Sequence, residues 1–201
     1  IAHYDQSQSL NANIDWSLGD LLHTKMKICL WTGLNDSLQK ISKKIAEKER
    51  VITPFSLLAL TDDMALQKKS SEIYVQNKHP SSSVLGKILR GPKNEKIRIG
   101  YFSPNFNNHA VAILTAELFE LHNKDNFEIF AFSFGVDDKS SIRTRLSQAF
   151  NQFIDVSEMP DIQIASLSRE LQIDIAVDLC GYTTDNRTGI FACRAAPIQV
   201  S

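Results

Sequence analysis

Strand-like apolar runs alternate with helical stretches from Ile97 onward, and this alternation constrains the fold more than any other feature of the sequence. The strand-like runs occupy residues 97–102, 127–134, 153–156, 173–179 and 197–200. The stretches with apolar residues at helical spacing are predicted to be helices at 110–122, 140–150 and 162–171. Because strands that alternate with helices form βαβ units, we predict an α/β fold with a parallel sheet for residues 95–201.

Residues 1–94 carry helical rather than strand-like patterns and are predicted to form a helical segment that ends in a linker. One apolar stripe comprises Leu21, Leu22, Met26, Cys29 and Leu30, and a second comprises Leu38, Ile41 and Ile45. Asn35 or Asp36 is expected to cap the helix of the second stripe.

The chain from Pro54 is expected to form a short apolar helix or turn over 54–60. The segment 61–63, which ends in Asp63, should cap a further helix that directs Leu66 and Ile73 inward. Residues 79–96 are rich in Ser, Gly, Pro and Lys, which favours a linker with at most a short helix at 84–89.

Charge and cysteine content exclude several classes of protein. The formal net charge is −1, and the Lys-rich stretch 39–50 has apolar residues at helical spacing, which favours the solvent face of a helix over a nucleic-acid site. The three cysteines show no CxxC spacing, which disfavours a disulfide framework and a zinc site and favours a reducing, cytoplasmic setting. No apolar run approaches the ~20 residues of a membrane span.

The two ends of the chain favour a piece of a longer protein. The sequence begins at Ile1 rather than at Met, and it ends at Ser201 directly after a strand-like segment.

Parallel sheets bind ligands beyond the carboxyl ends of their strands, so the informative loops are 103–109, 135–140 and 180–189. The first loop lacks the glycine pattern of a dinucleotide site or a P-loop and instead delivers His109 to the start of a helix. A neutral imidazole there can accept a proton from a hydroxyl near pH 7. Alternatively, His109 only caps or packs the helix start.

The loop after the strand at 173–179 offers groups suited to a polyhydroxylated ligand. Gly181 suits a sharp turn, and Tyr182 and Thr183 offer hydrogen-bond donors and acceptors. Asp178 is either a site acid or a cap of this loop. Arg187 is either a ligand-binding residue or half of a surface ion pair with Asp185.

The loop 135–140 is expected to be structural. Asp137 and Asp138, followed by Ser140, are interpreted as caps of the next helix rather than as metal ligands. Arg143 and Arg145 are interpreted as solvated surface, because alternate residues of a helix do not share a face.

Several segments together resemble the catalytic region of protein O-linked N-acetylglucosamine transferases and their bacterial relatives (glycosyltransferase family 41). They occur in family order over all of 97–201: Ile97-Arg-Ile-Gly-Tyr-Phe-Ser-Pro-Asn-Phe-Asn-Asn-His109, 127–135 with Asp137 and Asp138, 173–179, 181–183 and 189–200. Upstream, residues 52–63 resemble the helical segment that joins tetratricopeptide repeats to this region.

The resemblance implies a Rossmann-like lobe, the first of the two lobes of a glycosyltransferase B architecture. The family transfers a sugar from a uridine-diphosphate donor to Ser or Thr hydroxyls of proteins with inversion and without a catalytic metal or other cofactor. UDP-N-acetylglucosamine is the expected donor and a protein or peptide the expected acceptor, with no nucleic acid and no membrane as partner. Most contacts to the uridine and the diphosphate come from a second, carboxyl-terminal lobe, so the chain alone is predicted to be inactive.

The resemblance also assigns site residues. His109 matches the family's active-site histidine, proposed as the catalytic base, and Gly181, Tyr182 and Thr183 match a loop that approaches the sugar. Asn108, Asp178 and Arg187 complete the predicted substrate-binding set. Many relatives have Pro after the histidine and a second histidine four residues on, where this chain has Ala110 and Ile113; Cys180 and Cys193 also depart from the family pattern.

Two alternatives lack catalysis. A flavodoxin-like or receiver-like module would need a Ser/Thr-rich phosphate loop or acidic residues at the end of the first strand, where this chain has Tyr101-Phe-Ser-Pro-Asn105. A protein-recognition module would bind peptide without binding nucleotide.

Overall fold

A computed structural model describes residues 3, 4, 6, 14–89 and 94–201. The chain divides into two compact units, one that extends to Pro80 and one that begins at Ser81. In the first unit the described helices are α1 (Ser17–Lys27), α2 (Leu34–Ala46), α3 (Pro54–Leu58) and α4 (Met64–Lys78). None of the helices in the described ranges is both long and apolar enough to cross a bilayer.

The helices of the first unit enclose a small apolar core. Its buried members are Leu22, Ile41, Ile45, Val51, Ile52 and Leu57. Leu66 and Ile73 of α4 pack against this core, as their spacing predicts. The Asp63 carboxylate caps α4 by accepting from the backbone N–H groups of Ala65 and Leu66, which confirms the predicted cap.

Two local predictions in the first unit are wrong. Helix α1 ends at Lys27, so Cys29, with φ of 57°, and the exposed Leu30 lie beyond it and do not extend its apolar stripe. The residue before α2 is Gly33, whose φ of 72° is left-handed and suits glycine, rather than Asn35 or Asp36. Residues 84 and 85 form a turn and no helix occurs at 84–89, in agreement with the prediction of at most a short helix there.

The second unit contains the predicted alternation of strands and helices. The strands are β1 (Ile97–Ser103), β2 (Phe127–Ser133), β3 (Gln152–Asp155), β4 (Ile175–Asp178) and β5 (Ile198–Val200). The intervening helices are α5 (Ala110–Glu120), α6 (Ser141–Ala149), α7 (Asp161–Glu170) and α8 (Thr188–Ala192). All strand pairs are parallel and the order is β3-β2-β1-β4-β5, which confirms the parallel α/β fold.

Alternate residues of β1 face two different apolar clusters, as expected for a strand covered on both faces. Phe102 belongs to one cluster, in which its ring stacks on that of Phe132 with centroids 4.3 Å apart. Ile99 and Tyr101 belong to the other, together with Phe119 of α5. The sheet is therefore held between two helical layers, and its strand ends are fixed by packing from both sides.

Residues 81–89 associate with the second unit, whereas the sequence places them in the linker that ends at 94. The Arg169 guanidinium donates to the carbonyl oxygens of Leu85 and Gly86 at 2.8 and 3.1 Å. The same guanidinium donates to the carbonyl oxygens of Cys193 and Arg194, so one cation ties this segment to the end of α8. Sequence composition does not reveal this, because the arginine lies more than 80 positions away from the carbonyls.

Replacing a core leucine of α6 should destabilise the protein far more than replacing an exposed leucine of α5. Leu146 is fully buried, so Leu146→Ala should lower the free energy of unfolding by about 2–5 kcal/mol through lost burial and a cavity. Leu118 is 53% exposed, so Leu118→Ala should change it by no more than about 0.5 kcal/mol. Urea unfolding of the two variants beside the parent chain measures both values, and equal losses would contradict the assigned core.

Candidate functional site

The carboxyl ends of β1 and β4 form the point at which the direction of the sheet topology reverses. β1 pairs with β2 on one side, and on its other side Phe102 lies opposite Asp178 of β4. The chain moves outward from β1 to β2 and β3, then returns to the other side of β1 as β4. In open parallel sheets a crevice forms at such a point, between loops that leave adjacent strands in opposite directions.

His109 stands in the loop after β1 as the exposed N-cap of α5. Its Nδ1 accepts a hydrogen bond from the backbone N–H of Val111 at 3.2 Å. Because Nδ1 is an acceptor here, the neutral imidazole in this arrangement carries its proton on Nε2. The ring therefore caps the helix, one of the two roles that the sequence leaves open, while Nε2 remains to meet a ligand as a donor.

The loop that carries His109 is fixed against the loop between β2 and α6. The backbone N–H of Asn108 donates to Oδ2 of Asp138 at 2.7 Å. A Cβ on Gly135 would lie 1.7 Å from the carbonyl oxygen of Pro104, so only glycine lets the two loops approach this closely. The amide hydrogen bond from Asn108, followed by those from Ser140, holds the pKa of the Asp138 carboxyl below its usual value.

Asp138 and Asp137 lie just ahead of α6, but the N-cap of α6 is Ser140, whose hydroxyl accepts from Arg143 N–H. The predicted capping role of the two aspartates is therefore only partly right. Each accepts a backbone N–H two residues on, Asp137 from Lys139 and Asp138 from Ser140, and so shapes the turn before the helix.

The loop after β4 is organised by Asp178. Its Oδ1 accepts from the backbone N–H of Cys180 at 2.9 Å, and burial raises the pKa of this carboxyl, opposed by hydrogen bonds from Cys180, Gly181 and Ser201. Gly181 has φ of +55°, which confirms the predicted turn in left-handed backbone. Asp178 is thus a loop cap at the crevice, the second of the two roles considered for it.

Two of the predicted ligand-binding residues in this loop also make internal contacts. The Thr183 hydroxyl donates to the carbonyl oxygen of Cys180 at 2.7 Å, and Tyr182 is half-buried beside it. Arg187 pairs with Asp161 through a 2.7 Å hydrogen bond from Nε and donates to the carbonyl oxygen of Met159 at 2.6 Å. Its ion pair is therefore with Asp161 of α7 rather than with Asp185.

A cleft of about 820 Å³ runs along the carboxyl edge of the sheet beside these loops. Its lining includes Asn105, Asn107, Gly135, Asn186 and Arg187, whereas His109 and the turn at Gly181 do not line it. The asparagines were not predicted as lining residues, although Asn105 and Asn107 stand in an Asn-rich loop directly after β1. The cleft can offer amide donors and acceptors to a polar ligand.

The interpretation of Arg143 as solvated surface is wrong. Its side chain is 9% exposed, and Nη1 donates to the carbonyl oxygen of Phe106 at 3.0 Å and to the Ser133 hydroxyl at 3.1 Å. Nε pairs with Asp137 at 2.9 Å, and Nη2 lies 3.6 Å from a carboxylate oxygen of Asp155. The guanidinium therefore binds three strand-end loops together. Arg145 fits the prediction, because it is half exposed and pairs with Glu120.

Across the residues that the structure describes, no three His, Cys, Asp or Glu side chains are grouped so as to hold a metal ion. The described cysteines, Cys29, Cys180 and Cys193, are unpaired.

Comparison with known proteins identifies relatives. The family model described as Glycosyl transferase family 41 matches residues 69–201. A probable UDP-N-acetylglucosamine–peptide N-acetylglucosaminyltransferase of Arabidopsis thaliana, SEC, is 30% identical over 196 residues, which cover 90% of this chain and 20% of the plant protein. The UDP-N-acetylglucosamine–peptide N-acetylglucosaminyltransferase of Caenorhabditis elegans is 34% identical over 107 residues, which cover 53% of this chain and 9% of that protein.

A solved structure shares the fold. A mutant form of the Thermobaculum terrenum O-GlcNAc transferase superposes with a TM-score of 0.65 at 22% sequence identity, covering 98% of this chain and 38% of that one. The chain spans a fifth or less of the length of the two curated relatives, at 20% and 9%.

Removing the buried guanidinium of Arg143 should lower the free energy of unfolding substantially, whereas removing the exposed guanidinium of Arg145 should not. Arg143→Met leaves the Phe106 carbonyl and the Ser133 hydroxyl without their donor, so the free energy of unfolding should fall by about 2–4 kcal/mol. Arg145→Met removes only a surface pair with Glu120 and should leave the urea midpoint nearly unchanged. Comparable shifts of the midpoint in the two variants would contradict the bridging role of Arg143.

Proposed function

Since the chain belongs to glycosyl transferase family 41, we propose that it supplies the first lobe of an inverting transferase that moves N-acetylglucosamine from UDP to Ser or Thr hydroxyls of proteins. The observation that carries this proposal is that the loops after β1 and β4 leave adjacent strand ends at the reversal point of the sheet. His109 and Gly181 lie in these two loops, so a ligand at the crevice faces both.

An inverting displacement needs an acceptor hydroxyl held in line with the anomeric carbon, a group that takes its proton, and stabilisation of the departing diphosphate. The two loops are suited to the first of these needs, because they present a ring N–H, backbone amides and hydroxyl groups at one edge. We assign the diphosphate contacts to a second, carboxyl-terminal lobe of the same protein. No metal is required in this proposal, since the charge would be stabilised by donors of that lobe.

The tautomer of His109 favours donation of a hydrogen bond to a ligand over acceptance of a proton from it. With Nδ1 engaged by the Val111 amide, Nε2 presents an N–H, which donates to an oxygen of the acceptor or the sugar. To act as a base, the ring would first have to release Val111 and exchange its tautomer. We therefore propose that His109 orients an oxygen by donation.

The remaining residues divide into ligand contacts and loop supports. Gly181 and Tyr182 are proposed to approach the sugar through backbone and side chain, with Thr183 beside them, and Asn108 to contribute its exposed side chain. Asp178 and Arg187 support the same loop from within, through Cys180 and Asp161 respectively. The three unpaired cysteines suit a reducing, cytoplasmic setting for such an enzyme.

Two substitutions of His109 separate capping, donation and proton acceptance in the active two-lobed protein. Asparagine caps helices well, so His109→Asn should unfold like the parent while removing Nε2, and kcat should fall by roughly 10²-fold, the usual cost of one lost donor. Glutamine places an amide N–H near the position of Nε2 and cannot act as a base, so His109→Gln should retain clearly more turnover than His109→Asn. Steady-state kinetics decide: equal losses in both variants would contradict donation, and full turnover in His109→Asn would remove His109 from the reaction.

The 201-residue chain by itself should transfer no sugar from UDP-N-acetylglucosamine to acceptor peptide, because the proposed diphosphate contacts lie in the second lobe. A radiolabelled-sugar transfer assay measures this, and incorporation that depends on the chain would contradict the division of the site. Calorimetric titration with UDP and with peptide adds a second criterion. Peptide binding by the two-lobed protein without any UDP binding would favour a protein-recognition module instead.

A further inference from the structure

The loop that carries His109 is held by hydrogen bonds at three successive residues, one to α6 and two to the loop between β2 and α6. The carbonyl oxygen of Phe106 accepts from Arg143, the Asn107 side chain donates to the carbonyl oxygen of Val136 at 3.4 Å, and the Asn108 N–H donates to Asp138. The hydrogen bond to Asp138 is the shortest of the three at 2.7 Å, and its donor is the residue directly before the histidine.

Asp138 divides its two carboxylate oxygens between two elements. Oδ2 accepts from Asn108 in the loop of His109, and Oδ1 accepts from Ser140, the N-cap of α6, at 3.0 Å. Asp137 makes a different use of its carboxylate, because Oδ1 alone accepts both from Lys139 N–H and from the guanidinium of Arg143, each at 2.9 Å. The two neighbouring exposed aspartates therefore differ in whether the second carboxylate oxygen accepts a hydrogen bond, and Asp137 alone forms an ion pair with Arg143.

We propose that Asp138 is a positioning residue for His109. Its carboxylate fixes the backbone conformation at His109 and thereby determines which ring nitrogen faces a ligand. This inference rests on the proposed role of His109 at the crevice. Asp138 fixes Asn108, and His109 follows in extended backbone with φ of −136° and ψ of 153°. In that conformation Nδ1 reaches the Val111 N–H, which leaves the proton on Nε2. Displacement of Asn108 would break the hydrogen bond between Nδ1 of His109 and the Val111 N–H.

The amide of an asparagine cannot accept both of these hydrogen bonds on separate oxygens. It has one acceptor oxygen and one NH₂ group, so an asparagine at 138 that keeps the Ser140 contact turns its NH₂ toward the Asn108 N–H. Two donors then face each other where a short hydrogen bond stood. An asparagine at 137, in contrast, keeps both contacts through its single oxygen, so the pair Asp138→Asn and Asp137→Asn differs in the contact to the histidine loop.

The first experiment uses NMR on the 201-residue chain and needs no catalytic activity. In Asp138→Asn the Asn108 amide should exchange with solvent about tenfold faster, since its acceptor is gone. The ¹⁵N shifts of the His109 ring should move from a pure Nε2–H tautomer toward the mixed average. In Asp137→Asn the Asn108 amide should exchange at a rate within about twofold of that in the parent, and the ¹⁵N shifts of the His109 ring should be unchanged. An unchanged ring in Asp138→Asn, or equal changes in both variants, would overturn the proposal.

The second experiment measures turnover in the active two-lobed protein. Asp138→Asn should lower kcat by roughly tenfold with KM for the sugar donor nearly unchanged, as expected when a reacting group is misplaced. In a His109→Asn background the same substitution should have no further effect, because residues that act as one unit are not additive. A loss of the same size in both backgrounds, or in Asp137→Asn, indicates general destabilisation and would overturn the positioning role.

The two experiments separate this inference from the proposed function. If His109→Asn retains full turnover, the proposed role of His109 fails, while the NMR result still decides whether Asp138 sets the ring. If His109→Asn is slow and the ring is unchanged in Asp138→Asn, the proposed function stands and the positioning inference fails.

Discussion

The central strand of the sheet carries the constraint on which the remaining structure depends. β1 is hydrogen-bonded along both edges, to β2 and to β4, and buried on both faces by separate apolar clusters. A strand held in this way has no freedom to shift its register, because a slip by one residue would turn Phe102 and Tyr101 toward the wrong clusters. The position of Ser103, where the strand ends, is therefore fixed, and so is the place from which the histidine loop departs.

The strand-end loops are ordered by charge and by the absence of side chains, in addition to apolar packing such as that of the fully buried Phe106. Gly135 lets the carbonyl of Pro104 approach, and Gly189 leaves room for Asp161, whose carboxylate oxygen would lie 2.0 Å from a Cβ there. The Arg143 and Arg187 guanidinium groups then bind carbonyl oxygens and carboxylates drawn from separate elements. Because several donors of one planar cation point in fixed directions, each arginine sets the relative positions of the loops that it joins.

The strands and most helices of the second unit can be predicted from the sequence, because the apolar runs and the helical spacing of apolar residues involve only neighbouring positions. The first half of α1 and the capping by Asp63 follow from the same rules. What the sequence does not reveal are contacts between distant positions. Arg143 looks like surface beside Arg145, and only the approach of the Phe106 carbonyl, 37 residues earlier, makes it a buried bridge. The partner of Arg187 is missed for the same reason.

The candidate site shows the same division between local and distant information. The loops that carry His109 and Gly181 were identifiable as strand ends, and Gly181 as a turn residue with unusual backbone. The hydrogen bond that assigns the proton of His109 to Nε2 depends on the geometry of the first turn of α5, which no motif specifies. The asparagines of the cleft were visible as residues but not as a lining.

The hydrogen bond of the His109 ring limits which steps of the proposed reaction the first lobe can perform. A ring whose Nδ1 is committed to the helix can donate through Nε2 but has no lone pair left for an incoming proton. Asp178, at the end of β4, already accepts a hydrogen bond from its own loop, so its carboxylate is also partly committed. Both groups therefore suit orientation more than proton transfer. If the first lobe orients the acceptor oxygen in the proposed reaction, proton acceptance falls to groups that the second lobe or the substrate brings to the crevice.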